Sequence, residues 1–167
     1  MAADADLAQS DLRLAEVVLT LNEIGAAINQ LRPRGHGGVG EALRLIAESA
    51  IKVVPGSAAV IYTYDPSKQL FEALSRVSAG ERGTEAAYDL PRPDSIGMRA
   101  IRQSRRVLSY EEPDVELGPA AAHAGARAVA CFPLVVATRP VGALYVYLRH
   151  PHRFGQFELL MLDNLVN

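Results

Sequence analysis

Cysteine occurs once in the 167 residues, at Cys131, so an internal disulfide is impossible and a zinc site built from several thiolates is excluded. An excess of charge of one sign is lacking too. Seventeen Lys and Arg stand against 19 Asp and Glu, a net of −2, which leaves no electrostatic footprint for nucleic acid or an anionic membrane. No apolar run approaches the roughly 18 residues of a membrane-spanning helix. The opening "MAADADLAQSD" lacks the basic and apolar regions of a secretory signal, so the expected location is the cytoplasm. What remains is a chain that is 49% apolar and long enough for one core, and a single domain over 1–167 is expected.

The first segment with a period is 7–31, where Leu14, Val17, Leu21, Ile24, Ile28 and Leu31 recur at spacings of three and four between polar residues. That is an amphipathic helix close to a heptad repeat, and its single stripe suits a dimer interface formed by Leu14, Val17, Leu21, Ile24 and Ile28. "RPRGHGGVG" breaks the helix, and periodicity resumes over 41–54 through Leu43, Ile46, Ala47, Ala50 and Val54. β-Branched and aromatic residues predict a strand over 57–65, a turn at "PSK" and an antiparallel partner over 70–78. Ser95 is a plausible N-cap for a short helix over 95–104, followed by a strand candidate over 105–110. "ACFPLVVATRPVGALYVYL" (130–148) reads as two buried strands about a short break, and 154–167 as a helix. That helix runs to the last residue, which implies a longer protein. The order predicts an α+β domain whose strands pair mostly antiparallel.

Several chemical motifs fail on context. "GHGGVG" (35–40) satisfies the dinucleotide-binding spacing, but a helix rather than a strand precedes it, so it reads as a linker. His150 and His152 flank Pro151 with no ligand-type neighbours, and no metal site is assigned. His123 lies in a loop that could fold over the sheet, leaving a haem contact as an alternative. Cys131 sits within a predicted strand, where burial makes a thiol inert; a redox sensor built on it is the other alternative. The carboxylates of "EEPDVE" (111–116) are assigned to solvent, and no nucleophile with a base is evident, so no catalytic residue is proposed. Arg99, Arg102, Arg105 and Arg106 form a basic cluster that reads as a solvated helix face. Its sharper reading is an anion site at the helix start, with Ser95, Met98 and Arg99 around free amides.

The strings "SIGMRAIRQSRRVLSYEEPD" (95–114) and "GARAVACFPLVVATRPVGALYVYLRHPHRFGQFELLMLDNLVN" (125–167), in this order of elements, resemble the GAF domain family of sensor modules. The matching positions are Arg127, Pro133, Leu134, Gly142, Phe154 and Glu158. The resemblance implies a central antiparallel sheet of five or six strands in a GAF/PAS-like α+β fold. N- and C-terminal helices would cover one face, and the short helix and loops a pocket on the other. It further implies a regulatory, non-catalytic domain of a signalling protein, such as a two-component sensor histidine kinase or a nucleotide cyclase. A homodimeric helical bundle starting at 154–167 would carry the state of an unknown small molecule to a C-terminal output domain. The family's cysteine for covalent bilin, its cyclic-nucleotide motif and the several cysteines of its methionine sulfoxide reductases are not matched, which disfavours those ligands and that activity. Strand parity puts Tyr62 with Tyr64 and Tyr145 with Tyr147 on shared sides, candidate pocket walls beside Arg127. A module that dimerises and relays with its pocket filled by side chains is the alternative of another class.

Overall fold

A computed structural model describes residues 37–81, 92–115, 117–118, 122 and 125–167. The predicted helix over 7–31, with Leu14, Val17, Leu21, Ile24 and Ile28, lies outside the described residues, as does His123. Helix α1 is Gly37–Val53, followed by strands β1 (Ala58–Asp65), β2 (Leu70–Phe71) and β3 (Val77–Ala79), helix α2 (Ile96–Gln103), strands β4 (Val107–Leu108), β5 (Ala128–Val136) and β6 (Arg139–Leu148), and helix α3 (Gln156–Val166). The strands form one antiparallel sheet in the order β2-β1-β6-β5-β4, with β3 also paired to β1.

Three predicted elements change shape, and the simplest change is that the strand expected over 105–110 shortens to Val107–Leu108. Helix α1 begins at Gly37 rather than residue 41, so part of the expected linker is helical. A glycine costs a helix only about 1 kcal/mol against alanine, too little to stop it. The strand predicted over 70–78 is split. Asp65 and Tyr64 face Leu70 and Phe71, a ladder that would set Leu74 opposite Ile61 if continued, yet Val77 stands there. A single 3₁₀ turn, Ala73–Ser75, takes up the difference and throws Leu74 fully into solvent. Ser75 replaces the lost ladder bonds: its hydroxyl accepts from the Thr63 N–H at 2.9 Å and donates to the Glu72 carbonyl at 2.7 Å.

The long hairpin is the centre of the sheet. Residue pairs from Ala128–Leu148 to Val136–Arg139 join β5 to β6, with a register shift at Leu134/Val135. Its two-residue turn, Ala137 and Thr138, has φ of +47° and +70°, the left-handed pair that matches strand twist in tight hairpins. Gly142 sits where β6 passes β1 closely: a Cβ there would lie 2.6 Å from the Tyr62 carbonyl.

Alternation along the strands gives the sheet two different faces. On one, α1 and α3 pack over Ala59, Ile61, Ala130, Phe132, Leu144, Val146 and Leu148, contributing Ile46, Ala47, Ala50, Val53, Leu162 and Leu165. On the other, α2 brings Ile96, Met98, Ala100 and Ile101 onto Val60, Tyr62, Val107, Val129, Cys131 and Tyr147. The expected placement of helices on opposite sides of the sheet is what the described residues form.

Candidate functional site

The face beneath α2 gathers most of the residues singled out in the sequence. Val60 pairs with Tyr145 and Ala58 with Tyr147 across β1 and β6, so Tyr62, Tyr64, Tyr145 and Tyr147 all project to this side. Tyr62 is the hub. Its ring meets that of Tyr145 edge-on, centroids 6.3 Å apart at 89°, and that of Phe71 at 6.3 Å and 67°. Tyr64 reaches Phe71 from the other side at 5.4 Å and 64°. Such edge-to-face contacts set a positive ring edge on a negative ring face and fix the ring orientations.

Tyr145 and Tyr147 send their hydroxyls to different places. That of Tyr145 lies under the first turn of α2, where a Cβ on Gly97 would come within 1.7 Å of it; only a glycine leaves it room. The oxygen is buried with no completed hydrogen bond. Burial drives its pKa well up, while the Ser95 side chain and the Gly97 N–H oppose that only weakly. The Tyr147 hydroxyl instead donates to Glu81 Oε1 at 3.5 Å, and the Arg149 guanidinium lies 5.5 Å from the centre of the Tyr147 ring.

Glu81 belongs to a charged pair that the sequence reading missed. Arg76 Nη2 approaches Glu81 Oε1 at 2.5 Å, with the two side chains only 20% and 12% exposed. Burial disfavours the Arg76 charge, and Glu81 beside it more than offsets that, holding the guanidinium above its ordinary range. Its Nη1 lies 3.4 Å from the Ser78 hydroxyl, while its buried Nε has no acceptor. The folded register places it: Ser78 pairs with Val60, so two residues back Arg76 falls opposite Tyr62 on the same face. Reading 70–78 as one unbroken strand hid it.

The other candidates separate. Ser95 caps α2 as predicted, accepting from the Met98 N–H at 3.2 Å, and Met98 is buried in the tyrosine-face cluster. Arg99 does not turn toward the start of α2. It donates to Glu112 at 2.5 Å and to Asp114 at 2.9 Å, which keeps it charged; Glu112 is drawn partly out of solvent, while Asp114 stays exposed. Arg105 completes the cluster by donating to Glu112 at 2.8 Å. These acids, read from sequence as free in solvent, are ion-paired. Arg127 is exposed where β5 begins, its backbone N–H donating to the Leu148 carbonyl at 2.8 Å. Cys131 is fully buried opposite Tyr145, and burial pushes its thiol far above the ordinary range. His152, expected in solvent, is half-buried, with Nε2 3.1 Å from Glu158. Among the described residues no group of three or more His, Cys, Asp or Glu could hold a metal ion.

An antiparallel sheet sheathed by helices on one side and carrying a polar, ring-lined surface under a short helix on the other has the architecture of a regulatory sensor module. The GAF domain family model matches residues 37–167, and the chain belongs to the GAF domain family, a sensory and regulatory fold. No curated protein matches it in sequence. Among solved structures it is similar to the GAF domain/HD domain protein from Geobacter sulfurreducens, at 20% identity and a TM-score of 0.61, covering 77% of this chain and 86% of that one. A domain assigned to a two-component sensor histidine kinase of Sinorhizobium meliloti is 18% identical, with a TM-score of 0.55 and coverage of 80% and 87%. The free methionine-R-sulfoxide reductase from Neisseria meningitidis, solved with its substrate, is 16% identical, with a TM-score of 0.59 and coverage of 90% and 86%. The fold therefore serves both regulation and catalysis. Among the described residues no helix is long and apolar enough to cross a membrane.

Proposed function

We propose that this chain is a regulatory GAF domain that binds a small molecule on the tyrosine-bearing face beneath α2 and relays its presence through a helical homodimer to an output domain, a histidine kinase or a nucleotide cyclase, in the cytoplasm. The observation that carries the reading is the convergence of Tyr62, Tyr64, Tyr145 and Tyr147 with the Arg76–Glu81 pair on one side of the sheet. Rings supply apolar area and orientation, while a few hydroxyls and charges supply specificity, the usual make-up of a ligand site. A ligand that favours one arrangement of α2 shifts the population toward it, and α3 with the segment 7–31 carries that shift onward.

Catalysis is not part of the proposal. The single cysteine is buried and held as a thiol, which also argues against covalent bilin and against a thiol-based redox sensor. Native mass spectrometry of the freshly purified chain, compared with the denatured chain, tests the reading. A ligand adds mass to the native dimer, and replacing both Tyr62 and Tyr147 by Phe weakens its retention about tenfold, the loss of two hydrogen bonds. An adduct whose retention is indifferent to those hydroxyls would place the ligand elsewhere.

One observation favours a second reading, a relay without a ligand. The Tyr145 hydroxyl fills the space beside Gly97 and α2 rests directly on the sheet, as in a face packed by its own side chains. A dimer of bare mass in every preparation supports that reading, and a band near 400 nm in the absorbance spectrum would instead revive haem.

A further inference from the structure

The residues Arg105 and Arg106 are adjacent, yet their side chains leave the chain toward opposite faces of the sheet. Their ion pairs show it: just ahead of β4, where Val107 points into the tyrosine-bearing cluster and Leu108 into the aliphatic one, Arg105 reaches Glu112 and Arg106 reaches Asp163. β4 is the edge strand, which lets both guanidinium groups pass the rim rather than the core. On the α2 side, Arg105 meets Glu112 Oε1 at 2.8 Å, Glu112 Oε2 meets Arg99 of α2 at 2.5 Å, and Arg99 meets Asp114 at 2.9 Å. On the other side Arg106 pairs with Asp163 of α3. The loop bearing the acids is tied to the same rim, with the Glu111 N–H donating to the Leu108 carbonyl at 3.0 Å and the Val115 N–H to the Glu112 carbonyl at 2.9 Å.

We infer that this chain of alternating charges, Asp114, Arg99, Glu112 and Arg105 continued through the backbone to Arg106 and Asp163, couples α2 on one face of the sheet to α3 on the other. The two helices lie on opposite faces of the sheet, α2 over the tyrosine-bearing cluster and α3 over the aliphatic one. A shift of α2 over the tyrosines moves Arg99, Arg99 moves Glu112, and Glu112 draws on Arg105. The Arg105–Arg106 peptide then tilts against its anchor at Val107–Cys131, and Asp163 follows. The coupling deepens the sensor reading, which supplies its purpose, but it is a property of the chain without ligand. Its failure would leave a ligand site intact, and the absence of a ligand would leave the coupling intact.

Site-resolved hydrogen exchange on the 167-residue chain tests it, with the amides of β5 and β6 as internal reference. Glu112→Gln cuts the chain on the α2 side, and the exchange of α3 amides is expected to rise about two- to fivefold together with that of α2, the range of an exposed ion pair. Arg106→Gln cuts it on the α3 side, and α2 is expected to respond by a similar factor. The double exchange Arg106→Asp with Asp163→Arg restores both helices. Arg102→Gln, an exposed arginine of α2 that joins none of these pairs, changes neither. Raising the salt from 20 mM to 1 M screens every pair at once and is expected to loosen both helices of the unaltered chain, which checks that the pairs hold them, while the one-sided variants test the coupling. A response confined to the helix on the side that was cut, or no response in either, overturns the inference.

Discussion

The two faces of the sheet are built from the same strands by alternation, yet they are held in different ways. Beneath α1 and α3 the buried side chains are almost all aliphatic, with Phe132, Ile61, Leu144, Leu148 and Leu162 fully enclosed. Beneath α2 the aliphatic side chains are joined by tyrosines, a thiol and a charged pair, and two of the buried polar atoms without partners, Arg76 Nε and Tyr145 Oη, lie there. A face that keeps hydroxyls and charges half-satisfied gives up stability that an aliphatic one retains. The difference teaches how each side is built: one is filled almost wholly by aliphatic packing, while polar groups collect on the other.

Truncating the aliphatic face breaks the comparison most severely. Phe132→Ala removes a fully buried ring at the centre of the hairpin and is expected to cost about 3–5 kcal/mol in urea denaturation, enough to unfold a marginal domain. Gly142→Ala comes next. Its methyl would press on the Tyr62 carbonyl at 2.6 Å, which is backbone and cannot swing away, so a loss of about 1–3 kcal/mol is expected. On the tyrosine face the sign reverses. Tyr145→Phe removes a buried hydroxyl with no completed hydrogen bond, so the variant is expected to equal or exceed the parent by about 1 kcal/mol, and a clear loss would mean that Ser95 or Gly97 satisfies that oxygen after all.

Much of this division was legible in the sequence. Parity alone put the four tyrosines on shared sides, because the period of two survives in any strand that pairs on both edges, as β1 and β6 do. Ser95 was recognisable as a cap because the physics of a helix start is local. Arg76 and Glu81 were not legible, since their place depends on a 3₁₀ turn that resets register, and the residues 70–78 carry no glycine or proline to announce it. The pairing of Glu112 and Asp114 with Arg99 and Arg105 was hidden for a related reason. Opposite charges 7 to 15 positions apart reveal nothing until a helix, a strand and a turn fold them together.

Those ion pairs give the smallest expected effect and the most direct way to sharpen the contrast, because acid addresses charge and leaves aliphatic packing alone. Arg105 first and Arg99 second hold the Glu112 carboxyl below the ordinary carboxylate range, and Arg99 does the same for Asp114. Because the folded chain lowers these pKa values, their contribution to stability is fully present above the unfolded carboxylate values, about 4, and is lost as pH falls through the folded ones. Asp65 and Glu41 are lowered too, by Ser67 with Lys68 and by Arg44, so acid weakens the whole domain and the parent curve alone is not diagnostic. The difference between parent and Glu112→Gln is. At pH 7 the parent is expected to keep the higher urea midpoint, and below about pH 4 the two midpoints converge as Glu112 itself becomes neutral. Midpoints that stay apart by the same margin down to pH 3 would show that the amide disturbs packing rather than charge, and that the cover of the tyrosine face owes nothing to its ion pairs.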